Sequence, residues 1–179
     1  VDITASAESC PLTQRTCSNG SVEICTGANQ SETFDCADSC SNGTTCLGSS
    51  CLDPIPVTGT ETFTGHLTAH DDEDEMNFHN EQHCSLGDGT TARTPGPEVV
   101  FELQNVSQDD KIFIDAETND QNNNAIFIMQ SCSNPYQCVD VFVIEEKGQW
   151  TAPSDGPFLV VIDSESNIGS DFEYSFEYQ

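Results

Sequence analysis

The nine residues Asp171 to Gln179 read DFEYSFEYQ. In an extended chain successive side chains alternate across the strand. Phe172, Tyr174, Phe176 and Tyr178 then share one face, and Asp171, Glu173, Ser175 and Glu177 share the other. An aromatic face backed by an acidic one describes a half-buried strand. The pattern runs to the last residue with no polar tail, so the expectation is a closing strand that ends flush. Its main-chain edge is either covered by an internal neighbour or left for another chain to pair with.

Further stretches upstream read in a similar way: VTGTETFTG, PEVVFELQ, KIFIDAE, NAIFIMQ, DVFVIEE, QWTA and PFLVVID. Clusters rich in Gly, Pro, Asn, Asp and Ser separate them, among them TNDQNNN, SCSNPYQC, APSDGP and SESNIGSD. About eight short strands at this spacing, without a helical period, predict an all-β fold, an antiparallel β-sandwich or jelly roll. The acidic stretch AHDDEDEMNFHNEQHCSLGDGTTARTPG has no clear period and is expected as an extended loop with room for a helical turn.

The composition changes at Asp53-Pro54-Ile55-Pro56. Before it lie small polar residues and cysteines; after it come the apolar strands. This divides the chain into an extended N-terminal strand over 1–9, a disulfide-rich module over 10–53 and the sandwich over 54–179. In the first segment, VDITASA places Val1, Ile3, Ala5 and Ala7 on one face of a strand with nothing nearby to pair with. Within the module, Asn19-Gly20 and Asn42-Gly43 are tight-turn signals, and SVEIC and ETFDC are the expected strands. Such a module has little core of its own and depends on its bridges.

Ten cysteines, Cys10, Cys17, Cys25, Cys36, Cys40, Cys46, Cys51, Cys84, Cys132 and Cys138, are too many and too irregularly spaced for a metal-binding pattern. They read as disulfides made in an oxidising compartment. The chain starts at Val1, and an exported chain is expected to have lost its leader. No apolar run approaches the roughly 20 residues that span a bilayer as a helix. The expected location is secreted, extracellular or cell surface. Only Arg15, Arg93, Lys111 and Lys147 are basic, against 31 acidic side chains, for a formal net charge of -27. Such a field repels nucleic acid and anionic membranes and attracts cations.

Three segments in order, GPEVVFEL, AIFIMQSC and GPFLVVIDSESNIGSDFEYSFEY, resemble the bacterial pre-peptidase C-terminal domain. The resemblance spans Val57 to Gln179: an opening strand, a middle strand ending near a cysteine, a Gly-aromatic strand, and a last alternating strand. Phe158 stands where an aromatic is usual. Asn123-Asn124 stand where an acidic residue often precedes the middle strand, so the resemblance carries no ion site to that position. The front module is similar to cysteine-rich repeats of secreted bacterial proteins. Its spacing, Cys10-x6-Cys17-x7-Cys25-x10-Cys36-x3-Cys40-x5-Cys46, would close a six-cysteine unit. Cys132 and Cys138 suit a local bridge, and Cys51 is inferred to pair with Cys84 and staple the modules together. The resemblance implies an extracellular accessory role without catalysis.

Candidate chemistry is sparse. His66 and His70, like His79 and His83, are four apart, but HNEQH is not the HExxH zinc arrangement, and the solvated-loop reading is favoured. Asp71, Asp72 and Asp74, with Asp109 and Asp163, offer hard oxygens for a structural calcium ion, against the alternative of a solvated acidic surface. No Ser lies in a G-x-S-x-G elbow, and no organic cofactor is expected. Asn19, Asn29, Asn42 and Asn105 open N-x-S/T sequons, glycosylation acceptors or plain turn residues depending on the host. Trp150 and Tyr136 could stack on a sugar, although a core or rim position is the favoured account.

Two functions follow as expectations. One is a structural subunit, a homo-oligomer or filament forming an extracellular fibre or surface layer, in which VDITASA completes a neighbour's sheet. The other is an accessory module that binds carbohydrate or a cell surface. Neither involves nucleic acid or membrane insertion.

Overall fold

The computed structural model describes residues 14–27, 30–70, 96–118, 124–130, 138–144, 148–164 and 169–179. The expectations placed on Val1, Ile3, Ala5, Ala7, Cys10, Asn29, Asp71, Asp72, Asp74, His79, His83, Cys84, Cys132 and Tyr136 lie outside these residues.

At the front, β1 (Arg15–Ser18), β2 (Ser21–Gly27) and β3 (Gln30–Asp35) form an antiparallel sheet in that order. Ser18 faces Ser21 across the first hairpin. Its two loop residues, Asn19 (φ 54°) and Gly20 (φ 78°), are both left-handed, as a type I′ turn requires. The ribbon of β4 (Cys40–Ser41) and β5 (Thr45–Cys46) turns through Asn42 (φ 43°) and Gly43 (φ 79°). Bridges Cys17–Cys40 and Cys36–Cys46 tie sheet to ribbon. Cys17, Val22, Cys36 and Cys46 are buried together, a core so small that cross-links must supply what burial does not.

The second unit contains β6 (Ile55–Val57), β7 (Glu61–His66), a 3-10 turn (Leu67–His70), β8 (Glu98–Leu103), β9 (Lys111–Thr118), β10 (Asn124–Met129), β11 (Cys138–Ile144), β12 (Gly148–Thr151), β13 (Phe158–Ser164) and β14 (Asp171–Tyr178). One sheet runs β11-β10-β13-β8-β6, the other β12-β9-β14-β7. This is the expected all-β sandwich, with two differences. VTGTETFTG splits between the sheets, its start falling in β6 and its remainder in β7. And β6 pairs with β8 in parallel, with Pro56 in the outermost strand, where a missing N–H is tolerated.

DFEYSFEYQ proves to be an inner strand. It pairs with β7 on one side and β9 on the other. Gln179 then exchanges both main-chain hydrogen bonds with Lys111, at 2.8 and 3.0 Å. Internal neighbours therefore cover both edges, and no donated strand can pair there.

The aromatic face of β14 fills the space between the sheets. Phe101 of β8 meets Phe63 (5.2 Å between centroids), Phe176 (5.0 Å) and Tyr174 (6.1 Å), while Phe172 and Tyr174 stack at 4.5 Å. Such contacts add about 0.5–1.5 kcal/mol each to the burial of the rings. Trp150 is also core, edge-on to Phe158 at 4.8 Å, and offers no platform for a sugar. In the five-stranded sheet, Val99, Phe101, Ile126, Ile128, Phe158, Val160 and Ile162 face this core. Val100, Ala125, Phe127, Met129, Leu159 and Val161 form a second buried cluster, with Cys51 packed against it. Burial on both faces is why β8, β10 and β13 read as unbroken apolar runs whereas β14 alternates.

The two units share one seam. Leu67 belongs to the sandwich core and Ala69, two residues on, to the cysteine cluster. Ala37 and Leu47 of the front module pack on the sandwich core. Val100 of β8 donates to Gly48 O (2.8 Å), and Gly48 donates to Asp53 O (2.6 Å). Gly48 has φ +88°, and a Cβ there would lie 2.8 Å from the Ile55 side chain and 3.0 Å from Val100 O. Only glycine satisfies both conditions. Gly48→Ala should therefore lower the urea-unfolding free energy by about 1–3 kcal/mol. The control Gly59→Ala, where a Cβ meets nothing within 4 Å, should stay within about 0.5 kcal/mol.

Candidate binding cleft at the module junction

Where β3 of the front sheet approaches β7 of the sandwich, a cleft of about 370 Å³ opens, lined by Thr33, Phe34, Asp35, Thr64, Gly65, His66, Asp171 and Phe172. Glycine at 65 is what lets the units come so close. A Cβ there would stand 3.0 Å from both Ala37 N and the Phe172 ring.

His66 organises the floor. It faces Asp171 directly across the β7–β14 ladder, and its Nδ1 lies 2.9 Å from Asp171 Oδ1. The Phe34 ring stacks on the imidazole at 4.5 Å and 21°. Gly169 and Thr68 close off the side of the other ring nitrogen: a Cβ on Gly169 would come within 2.8 Å of Nε2 and 1.3 Å of Thr68 Oγ1. The histidine is thus held by one group from each unit and by the strand opposite. Its side chain is 18% exposed and that of Asp171 72%, so solvent screens the pair, and its value lies in orientation more than stability. Asp35 accepts from Ser21 Oγ at 2.8 Å. Each carboxylate keeps further lone pairs for a ligand.

His70, four residues on, corrects the solvated-loop expectation: it is fully buried. Its ring lies 5.6 Å from Phe172, and neither nitrogen has a hydrogen-bond partner. Burial pushes its pKa down to about 4; the nearby Leu47 main chain opposes the shift, and the charge of His66 adds to it. The side chain is neutral and acts as a packing ring at the seam. Tyr174 is comparable, its hydroxyl fully buried and its pKa driven far up by burial and then by the charge of Asp163.

The remaining candidates are dispersed. Asp109 sits exposed in a turn with φ 70°, whereas Asp163 is buried on β13 opposite Glu98. Among the described residues the one grouping of three potential metal ligands is Cys17, Cys36 and Cys40, and all three sulfurs are in disulfides. All seven described cysteines are bridged, Cys25, Cys51 and Cys138 included. Asn19, Asn42 and Asn105 lie exposed in left-handed turns. The cleft itself escaped sequence reasoning, because its residues come from positions 33–35, 64–66 and 171–172, and no local signal joins them.

No family model and no curated protein matches the sequence. Among solved structures, the chain is similar to the periplasmic inhibitor of g-type lysozyme PliG from Aeromonas hydrophila, at 9% identity and a TM-score of 0.45, covering 70% of this chain and 96% of that one. It is also similar to the pre-peptidase C-terminal domain of a collagenase from Bacillus anthracis, at 12% identity and a TM-score of 0.45, covering 69% and 94%. Both are likenesses of strand arrangement.

His70 supplies a pH test. The unfolded histidine takes up its proton near the ordinary value of 6.5, the folded one near 4. The stability due to neutral His70 is therefore complete above pH 6.5 and is lost as pH falls toward 4, up to about 3 kcal/mol. His70→Leu should remove this part of the slope, close to 1.4 kcal/mol per pH unit, from urea-unfolding free energies measured across that window. Whatever pH dependence the two proteins share cancels in the difference.

Proposed function

We propose that this chain is an extracytoplasmic recognition module, without catalysis of its own, that binds its ligand in the cleft between the front sheet and the sandwich. The observation that carries this reading is the cleft's joint construction: both units contribute lining residues, and each alone would present only a surface. Bridged cysteines throughout the described residues fit an oxidising compartment. The volume falls in the range of small-ligand sites. Hydroxyls, carboxylates and an aromatic ring suit directional recognition.

The Asp171–His66 couple resembles the rear of a hydrolytic triad, which would need a nucleophile at Nε2. The space beside that nitrogen is closed by Gly169 and the Thr68 side chain: a Cβ on Gly169 would stand 2.8 Å from Nε2 and 1.3 Å from Thr68 Oγ1. In amide NMR spectra of the oxidised protein titrated with oligosaccharide and peptide mixtures, shifts should gather at 33–35, 64–66 and 171–172. They should vanish when Thr64→Trp fills the cleft. Shifts mapping to the Trp150 end of the sandwich would contradict the reading.

Self-assembly into a fibre or layer is the second reading. It is favoured by the sheet edges that the described strands leave unpaired, at β6 and β11 of one sheet and at β7 and β12 of the other. Donation of VDITASA would have to use one of these or the outer edge of β1 or β3 in the front sheet, since β14 is enclosed. Deletion of Val1 to Ala7 should then convert assemblies to monomers in size-exclusion chromatography.

A further inference from the structure

The cleft has a property that points to its ligand's chemistry. Thr33, Phe34 and Asp35 are consecutive, as are Thr64, Gly65 and His66. Side chains alternate across a strand, so lining by these consecutive residues means that the cavity meets the outermost strands β3 and β7 along their edges, beside the start of the enclosed β14. β3 is the last strand of its sheet among the described residues, and five of its six residues are exposed. Its outer row of N–H and C=O groups is a template for one more strand.

Charge then selects the partner. The lining carboxylates, Asp35 and Asp171, belong to different units, and Glu32 lies on the same edge strand. Neither of the described basic residues, Arg15 and Lys111, lines the cleft. Histidine is the sole basic type present, and its Nδ1 is already engaged with Asp171. A second copy of a chain with net charge -27 would bring like charge against this edge, which opposes its docking here. A guanidinium or ammonium would find two carboxylates with free lone pairs and an adjacent aromatic ring.

Resting on the recognition reading above, we propose that the cleft takes an extended, basic segment of a partner polypeptide. It lies along the free edge of β3 and places an Arg or Lys side chain between Asp35 and Asp171. Main-chain pairing supplies affinity, and the cation supplies specificity.

The test uses the intact oxidised protein and blocked six-residue peptides of alternating Val and Thr with one central Arg, followed by fluorescence anisotropy. The Arg peptide should bind, and replacement of Arg by citrulline should weaken it about tenfold or more. Asp35→Asn and Asp171→Asn should each weaken it several-fold, as should raising salt from 20 to 200 mM. N-methylation of one set of alternate amides should abolish binding, while methylation of the other set should leave it intact, the signature of strand addition. Equal affinity for Arg and citrulline peptides, or indifference to both carboxylate substitutions or to both methylation patterns, would overturn the proposal. Neutral oligosaccharides that shift the cleft amides while the Arg peptide does not would overturn this ligand class and leave the recognition reading standing. Peptide binding that shifts only amides elsewhere would overturn both.

Discussion

Everything that gives this molecule a site depends on the four-residue turn Leu67–His70. Leu67 is buried in the sandwich core, Ala69 in the cysteine cluster, and His70 against Phe172. One short element thus belongs to two hydrophobic cores, and neither unit can shift without uncovering part of the other. The main chain reinforces the constraint: Leu67 N donates to Ser170 O at 2.9 Å, anchoring the turn to the residue before β14. Because β7 leads into this turn and β14 follows Ser170, His66 and Asp171 arrive opposite each other as a consequence of how the core is closed.

The sandwich was largely legible because its signal is local and repeated. Alternation in β14, unbroken apolar runs in β8, β10 and β13, and Asn-Gly at the first hairpin each translate directly into backbone geometry. What escaped was non-local or too short. Four residues carry no period, so Leu67–His70 was invisible and His70 passed for solvated loop. VTGTETFTG looked like one strand because its pattern does not show that the chain crosses between sheets after Val57. Enclosure of β14 is a matter of strand order, which alternation does not encode: the same side chains would suit an edge or a centre. Of the candidate site, Asp171 stood in a recognisable strand, whereas His66 follows the last residue of VTGTETFTG and read as loop. Their pairing depends on register across 105 residues of separation, and Phe34 joins them only through docking of the front module.

The charge of the chain takes on a different meaning once the fold is known. Acidic residues line the solvent face of the β7–β14 sheet, with Asp171 and Glu173 exposed, and they continue across the cleft to Asp35 and Glu32. Among the described residues the large apolar side chains are buried or half-buried except Leu52, so the described surface is mostly charge, hydroxyls and strand edges. That balance suits a partner of opposite charge and opposes indiscriminate association between copies.

The central claim, that the front module and the sandwich are one cooperative body locked at the Leu67–His70 seam, is most directly tested by native-state hydrogen exchange of the oxidised protein in low urea. The account predicts that the amides of Cys36, Leu67 and Val100, which donate to Gly20, Ser170 and Gly48 respectively, exchange with a common opening free energy close to that of global unfolding. Exchange of Cys36 through a separate, lower-energy opening, while Val100 stays protected, would show that the front module opens independently and contradict it.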